Sequence, residues 1–152
     1  MSRISRFVTR VAGPADVGSV ARLFRLVRRT CLPYLPDLHS PDEGLGFFRD
    51  HVFPGCTVWV ALGNGIEGFC AWRPGRVDHL YVHPDHHGRG IGTALLSHAM
   101  DGQPLLRLLV FRRNVRAARF YASRGFRVVE HTDGGGNEER EPDTLVEWVH
   151  VG

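Results

Sequence analysis

Lysine is missing from this sequence: all 19 basic side chains are arginine, beside 16 acidic side chains and 9 histidines in 152 residues. A lysine nucleophile or a lysine general base is therefore excluded. The formal net charge of +3 comes from side chains that bind phosphate in bidentate fashion, which fits a modest anionic ligand. Because this charge is dispersed among carboxylates without a recognition motif, we expect no nucleic-acid partner.

Cysteine is scarce as well. Cys31, Cys56 and Cys70 are odd in number, widely spaced and in no CxxC pair, which argues against a disulfide framework and against a zinc knuckle. No run of about 18 apolar residues exists, and charges are scattered through the N-terminal stretch, so neither a membrane span nor a secretory signal is visible. We therefore expect a soluble cytoplasmic protein without a membrane partner.

What is present fits a single α/β domain over residues 1–152, because 43% of the side chains are hydrophobic and 23% are charged. Hydrophobic periodicity predicts elements in the order β-α-α-β-β-β-α-β-α-β-β. The first strand is expected within residues 3–13, and the second helix is expected to end at about His51. The apolar run LLRLLVF, residues 105–111, is expected to form a central strand buried on both faces.

Three glycines stand where a helix has to begin. The stretch HPDHHGRGIGTALL, residues 83–96, places Gly88, Gly90 and Gly92 directly before apolar residues at helical spacing. Each glycine costs a helix roughly 1 kcal/mol relative to alanine, so helix stability does not explain them. A helix start offers unpaired N–H donors and the positive end of the helix dipole. The N–H groups of residues 88–93 and the Thr93 hydroxyl are therefore predicted to hold a phosphate group.

A second motif lies in NVRAARFYASRGF, residues 114–126. Asn114, Ala117 and Tyr121 occupy positions i, i+3 and i+7, which places them on one helix face. A small residue separates two polar ones along this face, so an extended ligand arm could lie there.

Together these motifs resemble those of the GNAT N-acetyltransferase superfamily, over most of the chain. Residues 87–92 align with the acetyl-CoA loop Q/R-x-x-G-x-G/A, with His87 in place of the usual Gln or Arg. Residues 114–126 match N-x-x-A-x-x-F-Y-x-x-x-G-F at every fixed position. The resemblance implies a mixed, mostly antiparallel central sheet of about seven strands flanked by about four helices.

The resemblance also implies acetyl-CoA as cosubstrate, and transfer of its acetyl group to a primary amine of an unidentified small molecule or peptide by direct attack on the thioester. Tyr121 would be the general acid for the departing thiolate. The backbone donors of Leu80, Tyr81 and Val82 would hold the pantetheine arm and polarise the thioester carbonyl. The remaining implied cofactor-binding residues are His87, Gly88, Arg89, Gly90, Ile91, Gly92, Thr93 and Asn114, together with Tyr121.

The general base is less clear. An alkyl ammonium group has a pKa of about 10, so a base or a water relay is useful at neutral pH. Asp78 is the preferred candidate and His79 the next, and as strand neighbours they are expected to point to opposite faces of the sheet. Glu67 and His83 stand behind them. A purely salt-bridged Asp78 is left open.

Four histidines, His79, His83, His86 and His87, lie close together in the sequence. They lack the i, i+4 helical spacing and the companion cysteines of a zinc site, so we expect no metal.

Charged side chains near the motifs suggest two further contacts. The coenzyme's other phosphate has candidate partners in Arg89, Arg112, Arg113 and Arg116, with a solvated surface as the alternative. The loop GNEEREPD, residues 136–143, is a candidate acidic rim that attracts cationic amines, with a plain surface loop as the alternative.

Two functions stay open at this point. The chain is either an acetyltransferase or a non-catalytic acyl-CoA-binding or regulatory protein of the same fold. Tyr121 favours catalysis, whereas His87 and the lack of a clear base keep the second function open. A homodimer is also left open, and the acceptor amine cannot be identified from the sequence.

Overall fold

One seven-stranded sheet organises the chain. The computed structural model describes residues 6–152, so part of the first predicted strand lies outside the described residues. The sheet order is β1-β2-β3-β4-β5-β7-β6. The strands are β1 (Val8–Val11), β2 (Thr57–Gly63), β3 (Gly65–Arg73), β4 (Arg76–Val82), β5 (Leu105–Phe111), β6 (Arg127–His131) and β7 (Asp143–Val149). Neighbours are antiparallel except for β4 and β5, which confirms the mixed, mostly antiparallel sheet.

Helices flank this sheet. They are α1 (Val17–Cys31), α2 (Pro41–Phe47), α3 (Phe53–Gly55), α4 (Ile91–Met100) and α5 (Val115–Ser123). A π-helical segment, Phe48–Val52, joins α2 to α3 without a gap, so the described chain has four main helical stretches, as predicted. None of these helices is long and apolar enough to cross a membrane.

The second helical stretch starts as expected but ends later. Ser40 Oγ accepts a hydrogen bond from the Glu43 N–H at 3.1 Å, and the Glu43 carboxylate accepts one from the Ser40 N–H at 2.9 Å. The predicted end near His51 is wrong, because helical structure continues to Gly55. Phe48 and Val52 lie about one turn apart and are both buried, which fixes this continuation against the core.

Strand β5 is buried on one face only, so the prediction for it is wrong in this respect. Leu106, Leu108 and Val110 are buried, whereas Leu109 is 46% exposed. Helix α1 packs on β3 and β4, and the buried cluster on that side of the sheet contains no residue of β5. The outward side chains of β5 therefore alternate with the buried ones, as in a half-covered strand.

Helix α4 packs closely on the other face of the sheet because β3 carries a glycine there. A Cβ atom on Gly68 would lie 2.9 Å from Ile91 Cγ2 and 3.2 Å from Leu95 Cδ1. Both of these α4 side chains are fully buried. Close packing of this kind fixes the start of α4, and with it the glycine loop, against the end of β4.

The contact between β4 and β5 is short. These two parallel strands share a single residue pair, Arg76 with Arg107. Beyond this pair the strands diverge, so within the described part of the chain the β5-facing edge of β4 has no strand partner from Val77 to Val82. The two strands therefore splay apart along most of β4.

His79 of β4 lies in an aromatic cluster. Its ring centroid is 5.5 Å from those of Phe24 and Phe48, and 6.0 Å from that of Phe47. Burial lowers the pKa of His79 to about 4, because the charged imidazolium loses hydration among these rings.

We expect the free energy of unfolding to decrease as the pH falls from about 6.5 to about 4, by at most a few kcal/mol. In this window unfolded His79 binds a proton whereas folded His79 stays neutral, so the unfolded state gains stability as the pH falls. Urea unfolding at about pH 7 and about pH 5 measures the loss. His79→Phe should show a smaller loss than the wild type. Equal losses in the two proteins would contradict this account of His79.

Candidate active site

The glycine loop leads directly into α4. Gly88 and Gly90 have φ angles of +79° and +83°, which favour glycine. The first helical hydrogen bond runs from the Ala94 N–H to the Gly90 carbonyl, at 3.0 Å. No side chain of the described residues caps this helix end, so the N–H groups of residues 91–93 are left for a ligand.

The start of α4 lines a cleft of about 680 Å³ that also contacts the end of β4 and helix α5. Arg116, Arg119 and Arg124 line it, and no Asp or Glu of residues 6–152 does. The cleft brings together eleven of the predicted cofactor-binding residues: Leu80, Tyr81, Val82, His87, Gly88, Gly90, Ile91, Gly92, Thr93, Asn114 and Tyr121. A cleft with free N–H donors and arginines but no carboxylate suits an anionic ligand.

Arg89 lies elsewhere. Its side chain lines a smaller cavity of about 250 Å³ beside the loop, and its Nη1 donates a hydrogen bond to His86 Nδ1 at 3.0 Å. The predicted contact between Arg89 and a phosphate in the main cleft is therefore not supported by the side chain's position.

His87 turns towards β4. Its Nε2 lies 2.9 Å from the Val82 carbonyl oxygen and donates a hydrogen bond to it. Burial lowers the pKa of His87, and the bond to Val82 only partly opposes this effect, so the ring is neutral at pH 7. The residue that replaces the usual Gln or Arg thus ties the loop to the end of β4.

Asn114 and Tyr121 lie on α5 as the motif predicts. Asn114 caps the helix, because its Oδ1 accepts a hydrogen bond from the Ala117 N–H at 3.2 Å. The Tyr121 ring packs against Phe120 and Phe126 at 5.2 and 5.4 Å. Burial raises the pKa of the Tyr121 phenol, and no described residue forms a hydrogen bond with its hydroxyl. The phenol is therefore protonated and free to donate to a ligand in the cleft.

Asp78 is in ion pairs and does not line the cleft. Its carboxylate lies 2.7 Å from Arg73 Nε and 3.3 Å from Arg76 Nε. Burial alone would raise the pKa of Asp78, but the hydrogen bonds from Arg73 and Cys56 together with the positive charge of Arg73 hold the pKa below its ordinary value. A carboxylate held in this way is a weak proton acceptor. The alternative of a salt-bridged Asp78 describes the structure better than a general base.

Asp78 and His79 were expected to point to opposite faces of the sheet, but a bulge in β4 interrupts this alternation. Ala71 pairs with His79 and Trp72 with Val77, so Asp78 is the extra residue of a bulge. Asp78 accepts a hydrogen bond from Cys56, which packs against the same core cluster that surrounds His79. His79 does not line the cleft either, and with a pKa of about 4 it is a weak base.

The two remaining candidates for the general base, Glu67 and His83, do not line the cleft either. Glu67 is buried beside His86, and His83 Nδ1 accepts a hydrogen bond from the Asp85 N–H at 3.1 Å. Among residues 6–152, no three His, Cys, Asp or Glu side chains converge in a geometry for a metal ion.

The acidic loop is largely paired. Glu138 lies 2.9 Å from His39, Glu139 lies 2.9 Å from Arg28, and Glu141 lies 2.7 Å from Arg113. These contacts join the loop between β6 and β7 to the region around α1 and to the end of β5. The loop therefore does not present a free negative rim to an acceptor.

Sequence reasoning missed several side chains of the cleft. Arg119 and Arg124 follow Arg116 at a spacing that keeps all three arginines on one side of α5 and of the residue that ends it. This helical spacing could have identified Arg119 and Arg124 as lining residues. Val27, Cys31 and Leu32 enter the cleft from the end of α1. No local pattern links α1 to a loop more than fifty residues away, so these three could not have been found.

Comparison with known proteins identifies the family. The model of the family described as "Acetyltransferase (GNAT) domain" matches residues 54–128. Peptidyl-lysine N-acetyltransferase YjaB of Salmonella typhimurium is 34% identical over 82 residues, which are 53% of this chain and 57% of that protein. Peptidyl-lysine N-acetyltransferase YiaC of Escherichia coli is 30% identical over 105 residues, or 68% of this chain and 70% of that protein. The chain thus matches a little over half the length of the first relative and about two thirds of the second.

The fold comparison agrees. The structure of yncA from Salmonella typhimurium, solved with its cofactor acetyl-CoA, superposes with a TM-score of 0.71 at 23% identity and covers 97% of this chain and 98% of that one. From the sequence matches, the fold and the glycine loop at the start of α4, it follows that this chain belongs to the GNAT family of acetyltransferases.

Proposed function

We propose that this protein transfers the acetyl group of acetyl-CoA to a primary amine of a small molecule or peptide, by direct attack of the amine on the thioester. One observation carries the proposal: the uncapped start of α4 opens onto a cleft that is lined by arginines and by no described carboxylate. Pyrophosphate is the ligand group that matches both features. Family membership and the acetyl-CoA complex of yncA support the same ligand.

Different groups of the chain bind different parts of acetyl-CoA along the cleft. The N–H groups of residues 91–93 and the arginines of α5 hold the phosphates. The β5-facing edge of β4 has no strand partner beyond Arg76 among residues 6–152, so those backbone donors within Leu80–Val82 that point to this edge, rather than to β3, are available to the pantetheine arm and to the thioester carbonyl. Each backbone donor that stabilises the developing oxyanion contributes roughly 3 kcal/mol to catalysis.

Tyr121 serves the leaving group. A thiol has a pKa of about 8.5 and an unperturbed phenol one of about 10, and burial raises the pKa of Tyr121 further. Full proton transfer from this phenol to the thiolate is therefore uphill. The phenol instead donates a hydrogen bond as negative charge develops on sulfur.

The amine must be neutral when it attacks. Amide formation removes one proton from nitrogen, and thiol release adds one proton to sulfur, so the reaction balances without an external base. Neither Asp78 nor His79 lines the cleft, and their role as general base stays a prediction with little geometric support. Because the reaction balances without an external base, this observation does not favour the alternative function, a non-catalytic acyl-CoA-binding or regulatory protein.

Three further expectations remain part of this proposal: residues 1–152 form a single domain, the protein is located in the cytoplasm, and it works without nucleic acid or membrane, with a homodimer left open.

The decisive experiment on function is an acetyl-CoA consumption screen over amines, aminoglycosides, amino acids and peptides, read by thiol release. Binding of acetyl-CoA without turnover on any acceptor would favour the alternative.

Gly90→Asp should abolish acetyl-CoA binding, because the new carboxylate repels phosphate and a side chain at φ +83° strains the loop. At about 100 times the Kd, acetyl-CoA should raise the wild-type Tm by roughly 5–10 °C. The matched control is Gly102→Asp, at φ +75° just beyond the other end of α4 and equally free of neighbouring atoms. If acetyl-CoA raises the Tm of the Gly90→Asp variant as much as that of the wild type, the assignment of the phosphate site to this loop is wrong.

Tyr121→Phe should lower kcat by about 10- to 1000-fold and leave the Kd for acetyl-CoA within about twofold, because only the hydroxyl is lost and the ring packing remains. Its apo Tm should not fall, since the hydroxyl forms no hydrogen bond with a described residue. Steady-state rates, calorimetry and thermal unfolding measure the three quantities. An unchanged kcat would make Tyr121 structural.

The logarithm of kcat/KM should rise by about one per pH unit between roughly pH 6 and 9 for an amine of pKa about 10, because the neutral fraction of the acceptor rises in this way. An acceptor with a lower pKa should reach its plateau at a correspondingly lower pH. If the profile instead shows an inflection that is independent of the acceptor and disappears in Asp78→Asn or His79→Gln, that residue is the general base.

A further inference from the structure

Glu67 is a buried carboxylate beside the glycine loop that the proposed reaction does not use. It is the extra residue of a bulge in β3, and only 6% of it is exposed. Its Oε2 accepts a hydrogen bond from the Asn64 N–H at 3.3 Å and lies 3.2 Å from His86 Nε2. Burying a carboxylate is unfavourable unless polar partners compensate. His86 is thus the side-chain partner on which Glu67 depends within the described residues.

His86 connects Glu67 to the loop. The Arg89 guanidinium, 3.0 Å from His86 Nδ1, can only donate, so Nδ1 accepts and the ring proton is on Nε2, towards Glu67. The carboxylate therefore favours the tautomer that accepts from Arg89. This chain of contacts links β3 to the residue between Gly88 and Gly90.

The loop needs such an anchor because glycine has little conformational preference. Gly88 and Gly90 both adopt positive φ angles, yet glycine populates negative φ equally well, so the backbone alone does not select the observed conformation. His87, through the Val82 carbonyl, is one side-chain anchor. His86 is a second, and it also lines the main cleft.

We propose that Glu67 is a positioning residue for the acetyl-CoA loop: through His86 and Arg89 it holds the loop in the conformation that binds the coenzyme. This inference rests on the proposed function. Loss of the anchor leaves the loop to be ordered by the ligand itself, which weakens binding without changing the groups that act on the thioester.

The test compares Glu67→Ala and Glu67→Gln with the wild type, by calorimetric titration with acetyl-CoA and by steady-state kinetics. Glu67→Ala should raise the Kd and the KM for acetyl-CoA about tenfold and leave kcat within about twofold. Glu67→Gln keeps an oxygen that can accept from Nε2–H but loses the charge, so its effect should be smaller. A structural role alone would lower the apo Tm and the amount of active protein without raising the KM.

A second variant displaces the carboxylate without changing its charge. The backbone of Gly63 packs against the Glu67 carboxyl group, and a Cβ atom at this position would overlap it. Gly63→Ala should therefore raise the KM for acetyl-CoA in the same direction as Glu67→Ala. The control is Glu147→Gln, which removes the charge of a carboxylate that is ion-paired with Arg107 and lies on β7, separated from β3 by β4 and β5. It should leave the KM unchanged.

Each outcome is decisive. If the wild type binds acetyl-CoA and Glu67→Ala binds it with the same Kd, the positioning role is overturned and the proposed function stands. If the wild type does not bind acetyl-CoA at all, the proposed function fails, and the positioning role fails with it. A raised KM in Glu67→Ala together with an equal rise in Glu147→Gln would point to general destabilisation and would also overturn the inference.

Discussion

The divergence of β4 from β5 is the constraint on which the rest of the site depends. A parallel pair of strands would ordinarily continue its ladder of hydrogen bonds, but here the ladder ends after Arg76 and Arg107. Backbone groups of β4 that a full ladder would consume remain available, and space opens beside them. Gly68 brings α4 close enough that its uncapped start borders the same opening. The interruption in the sheet thus supplies the space and the β4 donors, and the packing at Gly68 supplies the position of the glycine loop.

Charge is distributed so that the opening stays positive. The carboxylates of the loop between β6 and β7 are paired with Arg28, Arg113 and His39, and Asp78 is paired with Arg73 and Arg76. The arginines of α5 that line the cleft have no such partners among the described residues. In a chain without lysine all of these cations except His39 are guanidinium groups, which suit bidentate contacts to carboxylates and phosphates alike.

The sequence predicted the elements well because periodicity and turn chemistry are local. It predicted many of the residues that line the cleft because two motifs place them on one loop and one helix, and their binding of the cofactor stays a prediction. It failed where the answer depends on packing between distant elements. Whether β5, the stretch LLRLLVF, is covered on one face or on both depends on which strands α1 packs against. The bulge at Asp78 depends on how β4 pairs with β3. The partners of Asp78, Glu67 and the acidic loop lie on other elements, so no spacing rule reveals that they are neutralised.

That neither Asp78 nor His79 lines the cleft has a chemical explanation within the proposed reaction. Attack by a neutral amine makes its nitrogen acidic as the new bond to the acetyl carbon forms, and the departing sulfur gains basicity at the same time. The proton that nitrogen must lose is the proton that sulfur must gain, so a water molecule can carry it across without a residue that stores it. A phenol whose pKa is raised by burial fits this scheme, in which Tyr121 would stabilise the sulfur by hydrogen bonding and keep its own proton. The cost falls on the acceptor, which must reach the site unprotonated.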